Sequence, residues 1–264
     1  MKRIVSTAVS LIGLSVASQA LAHDNCNINL DGNVEYHKGL LTVDMENGSV
    51  MTISQDHTLT INNQVQSLNA EQQRWVSQYY QHVDEAIPMS LSIAADGIAL
   101  ASTTINDVFS ELFGADNDVT MEFDDLFTEM SEEMDRAFYD ADGNIRISTR
   151  ELEENEWLEG GWESQFEQRM ESAISQSMGK ILIALGTQML WEGGDMAAFE
   201  EKMERFGDTI EQRVEAQALQ LEDKAEQLCA VLAKAEEAEN EMQRTIPGLE
   251  DLDMMDINYR PSKM

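Results

Sequence analysis

Most of the usual markers of chemistry are missing from this 264-residue chain, which has two cysteines, four histidines and three prolines. With no C-x-x-C pair, it has no thiol redox motif. Its histidines, His23, His37, His57 and His82, show no metal-ligand spacing. There is no G-x-S-x-G elbow, phosphate-binding glycine loop or dinucleotide fingerprint past the N-terminal region, so we expect no enzyme activity. Carboxylate pairs such as Asp124-Asp125 and Glu132-Glu133 are too common here to mark an acid–base site, which needs a cleft and a perturbed pKa.

Basic residues are also scarce: 17 Lys and Arg stand against 50 Asp and Glu, a formal charge of −33. Such a field repels phosphates and anionic lipid, so nucleic acid is excluded as a partner and cations or basic peptides are favoured. Long apolar runs are absent beyond the first residues. Ile181 to Leu185, with Met189 to Trp191 beyond Gly186, is too short to span a bilayer, and no transmembrane segment is expected.

What is present begins with an export signal. Lys2 and Arg3 precede an apolar run from Ile4 to Ala17 and then Ala20-Leu21-Ala22, the pattern of a Sec-type signal peptide over 1–22, cleaved after Ala22. The expected location is the periplasm. An exported chain with two distant cysteines pairs them, so Cys26 and Cys229 are expected to form a disulfide.

Residues 23–68 alternate with period two. Val50-Met51-Thr52-Ile53-Ser54 and His57-Thr58-Leu59-Thr60-Ile61 are separated by Gln55-Asp56, and Asp31-Gly32-Asn33 and Glu46-Asn47-Gly48 supply turns. This predicts a β-meander of four or five strands with one apolar face to be covered. Residues 69–247 read as helical. Asn69 and Gln72 form a capping box, and Trp75, Tyr79, His82 and Val83 recur at helical spacing as far as Pro88. Met89 to Phe113 leans to helix, and Met121 to Tyr139 is amphipathic. Gly160-Gly161 and Gly193-Gly194 bound a further helix. From Asp195 to Ile246, with a break expected at Gly207-Asp208, Val214, Ala218, Leu221, Ala225, Leu228, Leu232 and Ala235 form a heptad seam. The seam is interrupted at Glu239 and resumes at Met242 and Ile246. It can close within one chain, as a helical hairpin, or between two. Pro247 ends the helix, and residues 248–264 read as an acidic C-terminal tail. The fold expected is α+β: an N-terminal antiparallel β-meander packed on long amphipathic helices, including a C-terminal helical hairpin.

Three blocks carry a family resemblance: Cys26-Asn27-Ile28-Asn29-Leu30 with its following strands, QSLNAEQQRWVSQYY at 66–80, and LCAVLAKAEEAENEMQRTIPGL at 228–249. They resemble the YggN-like group of uncharacterised periplasmic proteins, a domain of unknown function. The resemblance implies export and an unassigned role, and its early and late cysteines match Cys26 and Cys229.

One stretch carries a specific chemical pattern. Counted from Asp140, Asp140, Asp142, Asn144, the Arg146 carbonyl, Ser148 and Glu151 occupy the ligand positions of a calcium-binding EF-hand loop. Against this, Ile145 stands where glycine is required, and Asp142-Gly143 is a hairpin turn dipeptide. Calcium is therefore the one cofactor the sequence raises, with a plain acidic turn as the other reading. Three functions follow: an envelope binding or structural protein, chaperone-like through its methionine-rich faces; a calcium module; and a hydrolase with an unrecognised carboxylate site. The first is preferred, with an envelope protein or peptide as partner.

Overall fold

The computed structural model describes residues 26–30, 32–45, 47–113, 118–150, 166–177, 179 and 196–260. The signal segment, His23, Glu151, both glycine pairs and the Ile181–Leu185 run lie outside them. The architecture is α+β.

The strands are β1 (Cys26–Leu30), β2 (Asn33–His37), β3 (Leu40–Asp44), β4 (Val50–Ile53), β5 (Leu59–Ile61), β6 (Gln64–Val65), β7 (Arg146–Ser148) and β8 (Met255–Tyr259). The helices are α1 (Ala70–Phe113), α2 (Asp118–Phe138), a helical stretch over 166–177 (α3) and α4 (Met196–Thr245).

Strands β2 to β6 form the expected antiparallel meander, and β7 joins it at the β2 edge, giving the order β6-β5-β4-β3-β2-β7. The β2–β3 turn is a two-residue Lys38-Gly39 turn with φ of 51° and 73°, as the favoured hairpin geometry requires. A methyl group on Gly39 would meet the exposed Gln55 side chain at 2.3 Å, which can swing aside, so it is the positive φ that calls for glycine there. Asn62-Asn63 repeats the left-handed pair between β5 and β6.

The first strand does not join this meander. β1 pairs antiparallel with β8, Cys26 opposite Tyr259 and Leu30 opposite Met255. Of residues 248–264, read as an acidic C-terminal tail, the described part to residue 260 returns to the core. Leu249, Leu252, Met254 and Ile257 are buried while Asp251, Asp253 and Asp256 face water. Alternation thus wins over net charge, because each aspartate can point outward from an extended backbone.

The capping box at Asn69 forms as expected. Asn69 Oδ1 accepts from Gln72 N at 3.0 Å, and Asn69 N donates to Gln72 Oε1 at 2.9 Å. Pro88 does not end this helix: α1 runs on through it to Phe113. Pro88 is exposed, while Val83, Ala86 and Leu91 on either side are buried, so packing on both flanks overrides one lost helical hydrogen bond. Nor does Gly207-Asp208 interrupt α4.

α1 and α4 run antiparallel along most of their length. Gln72 meets Thr245, Asp96 meets Lys224 and Asp107 meets Arg213. At 1.5 Å per residue the pair is about 66–75 Å long. The heptad seam of α4 therefore faces α1 of the same chain. Near the sheet the seam is sealed, with Ala235, Ala238 and Met242 buried against Val76 and Tyr79. The distal half of α1 is flanked by α2 in a second cluster, where Phe109 and Phe123 stack at 5.3 Å.

Candidate functional site

The helix pair opens partway along its seam. Ala218 and Ala225 are half-buried seam positions on either side of Leu221 in α4. An open cleft of about 220 Å³ lies between the helices where Leu221 comes near Ala99 and Leu100 of α1. Ala99, Leu100 and Leu221 give it an apolar floor, and Thr103, Gln217 and Gln220 form its polar walls. The Lys224 ammonium donates to Asp96 at one end. Toward the other end Arg213 Nη1 donates to Asp107 Oδ2 at 2.8 Å, beside a shallower depression that shares Thr103 and Gln217. Both basic groups are thus neutralised, while Glu215 and Asp223 on α4 remain exposed to solvent. The surroundings are acidic.

The cleft adjoins an unusual part of α1. Within Ala70–Ser110 lies an 18-residue window with mean hydropathy 1.3, long and apolar enough to cross a membrane by length and composition, yet only 11% of it is buried. Core helices are ordinarily covered at such hydropathy. Here Ile93 and Leu100 are partly exposed, while Ile98 and Ile105 pack against the second cluster.

The methionine faces divide. Met121 is 56% exposed, Met130 and Met134 are half-buried, and Met170 packs on the second cluster. The side chains of Met178, Met189 and Met203 lie outside the described residues.

The acidic loop adopts a tight turn. Gly143 N donates to Asp140 O, and Asp140 N donates to Asn144 O, each at 2.9 Å. The left-handed residue is Gly143, at φ 79°, two positions before Ile145. Asp140 Oδ1 accepts from Asp142 N, Asn144 N and the Asn144 amide. Its Oδ2 lies 3.0 Å from His37 Nε2 and 3.3 Å from Lys38 Nζ, which also reaches Asp142 at 3.4 Å. The hydrogen bond to His37, then that from the Asn144 backbone, holds the Asp140 carboxyl well below the usual carboxylate range. The turn thus brings Asp140, Asp142 and Asn144 together. Arg146 and Ser148 are instead taken into β7, opposite His37 and Glu35. Glu151 lies outside the described residues, and no group of three or more metal-ligating side chains gathers among the described ones.

Cys26 and Cys229 form the disulfide, with Cα atoms 6.3 Å apart across 203 residues of sequence. It fastens β1 to the middle of α4.

One group that sequence reasoning noted only as a fault in the seam is Glu239. It is 2% exposed, and its Oε1 accepts from Met254 N at 2.7 Å and Met255 N at 3.1 Å. Its Oε2 makes no close hydrogen bond among the described residues, although the Tyr79 phenol lies near the carboxyl. Burial pushes its pKa up to about 7, against the lowering effect of the two amides. The broken heptad was the available signal; the partners lie too far along the chain to be read from it.

The fold and these sites describe an acidic α+β protein with a paired-helix arm and a clasped C-terminus. The chain belongs to the family described as a protein of unknown function (DUF2884), whose model matches residues 26–255. That match runs from the first disulfide cysteine to the first residue of β8. No curated protein and no solved structure matches the chain.

Proposed function

We propose that this is an exported, non-enzymatic binding protein of the envelope, chaperone-like in kind, that holds basic amphipathic segments of other polypeptides along the α1–α4 arm. The observation that carries the reading is the apolar stretch of α1, only partly covered and lining a cleft, on a chain of charge −33. A partly exposed apolar strip with an acidic rim suits a partner that is apolar on one face and cationic on the other. About 220 Å³ admits one bulky side chain, the kind of anchor that dominates peptide affinity. The carboxylates at the cleft, Asp96 and Asp107, are engaged in ion pairs, which suits contact better than proton transfer. Export is supported by the pattern of residues 1–22.

Fluorescence anisotropy with a labelled cationic amphipathic peptide and its charge-reversed twin tests this. The cationic peptide should bind, more weakly at high salt, and Ala99→Trp, which fills the cleft, should weaken binding at least tenfold. Equal binding of the two peptides, or none of either, overturns the reading. So does preferential flotation of the protein with neutral lipid vesicles, which would assign the apolar strip to a membrane instead.

A further inference from the structure

Glu239 is the only buried acidic side chain among the described residues, and it faces the C-terminal segment rather than a cation. α4 grips that segment at two successive points. Glu239 Oε1 takes the amides of Met254 and Met255, and Glu236 Oε1 accepts from Ile257 N at 3.3 Å. From α1, the fully enclosed Tyr79 lies beside the Glu239 carboxyl group. From the C-terminal segment itself, Asp253 adds a second negative charge nearby. The surroundings offer Glu239 two amide donors, a phenol and other acids. A proton on the carboxyl removes the buried charge and leaves Oε1 free to keep accepting both amides.

We propose that Glu239 is a proton-operated clasp on the C-terminal strand, closed tightest when its carboxyl is protonated and loosened when it ionises. The sign follows from linkage. With the segment released, Glu239 is in water and titrates in the ordinary glutamate range near 4.5; with it closed, burial moves the titration to about 7. Below the ordinary range both forms carry the proton. Between the two values only the closed form does, so each rise in pH there favours release. Above about 7 the closed form bears the full cost of a buried charge.

Opening has a definite structural product. Leu249, Leu252 and Ile257 would leave the core, and β1 would lose its pairing partner while the disulfide to Cys229 keeps it fastened to α4. Release thus uncovers an apolar furrow bordered by an unpaired strand edge, which another extended chain can join. The inference is independent of the cleft.

Hydrogen exchange of the amides of residues 248–260, corrected for intrinsic rates, tests it on the oxidised full chain. Between pH 5 and pH 8 the opening equilibrium should rise on the order of a hundredfold, and Glu239→Gln, which mimics the neutral acid, should flatten that rise. Identical pH dependence in the two proteins, or none in the natural one, overturns it. If Glu239→Gln fails to fold, carbon-13 NMR of glutamate carboxyls in the natural chain decides. One carboxyl titrating near 7 supports the clasp, and all of them titrating between 4 and 5 removes it.

Discussion

Gln72 joins the first turn of α1 to the last residue of α4. Its carbonyl oxygen completes the cap at Asn69, and its amide nitrogen donates to the Thr245 carbonyl at 2.6 Å. One side chain therefore satisfies a helix beginning and a helix end together.

Gln72 separates local from long-range effects. Glutamate is the better capping-box residue in isolation, yet Gln72→Glu would turn a carboxylate toward the Thr245 carbonyl and lose the donor. We expect Gln72→Glu to cost at least as much as Gln72→Ala, with each losing about 1–2 kcal/mol. Urea titration of both variants checks this; a neutral or stabilising Gln72→Glu would show that the junction to α4 carries no weight.

The disulfide should matter more than its single bond suggests. Closing 203 residues removes about 5 kcal/mol of unfolded-chain entropy in the loop model. Replacing both cysteines with serine should lower Tm by about 10–15 °C, and amide exchange should accelerate first in β1 and β8. Indistinguishable melting of the two proteins would contradict this.

Pro88 offers a gain. Because it is exposed within α1, Pro88→Ala restores an N–H to the Asp84 carbonyl without disturbing packing. We expect about 1–3 kcal/mol of added stability, read as a shift in the denaturation midpoint. A loss would mean that the proline sets a bend the arm requires.

The acidic turn makes two predictions. The depressed Asp140 contributes stability that is present above the ordinary carboxylate range and lost as pH falls through its own lower value. Removing the His37 hydrogen bond with His37→Ala should move that loss to higher pH, seen in the Asp140 carboxyl shift by NMR. With His37 and Lys38 already on the carboxylate and Arg146 and Ser148 held in β7, millimolar calcium should give no saturable heat and no change in melting temperature relative to EGTA. A saturable isotherm would restore the ion-binding reading.

Local signals were legible and distant pairings were not. Alternation around Val50 and Leu59, the Asn69–Gln72 cap and the α4 heptads each concern neighbours in sequence, and each formed. β8 was hidden although Met255, Ile257 and Tyr259 alternate with Asp256 and Asn258, because the acid count around them reads as a tail. The diversion of β1 away from the meander depends on a partner more than 200 residues on; Cys26 was the one mark of it. Pro88 misled because a helix-breaking residue is weighed locally while the packing that overrides it is tertiary. At the cleft, the seam residue Leu221 was visible, but only the pairing of α4 with α1 sets Ala99 and Leu100 against it.

The placement of β1 and β8 sets a schedule for synthesis. The meander of β2 to β6 is made by Val65 and meets Val76, Tyr79 and Tyr80 of α1 soon after, yet the rest of its cover, Ala238, Met242, Leu249 and Leu252, emerges some 170–190 residues later. At about 5–20 residues per second, the nascent sheet stands only partly covered for roughly 10–40 s. During that interval it is a client before it can be a host, and whatever escorts this chain must shield the faces of Leu41, Met51 and Ile53 until the last strand arrives.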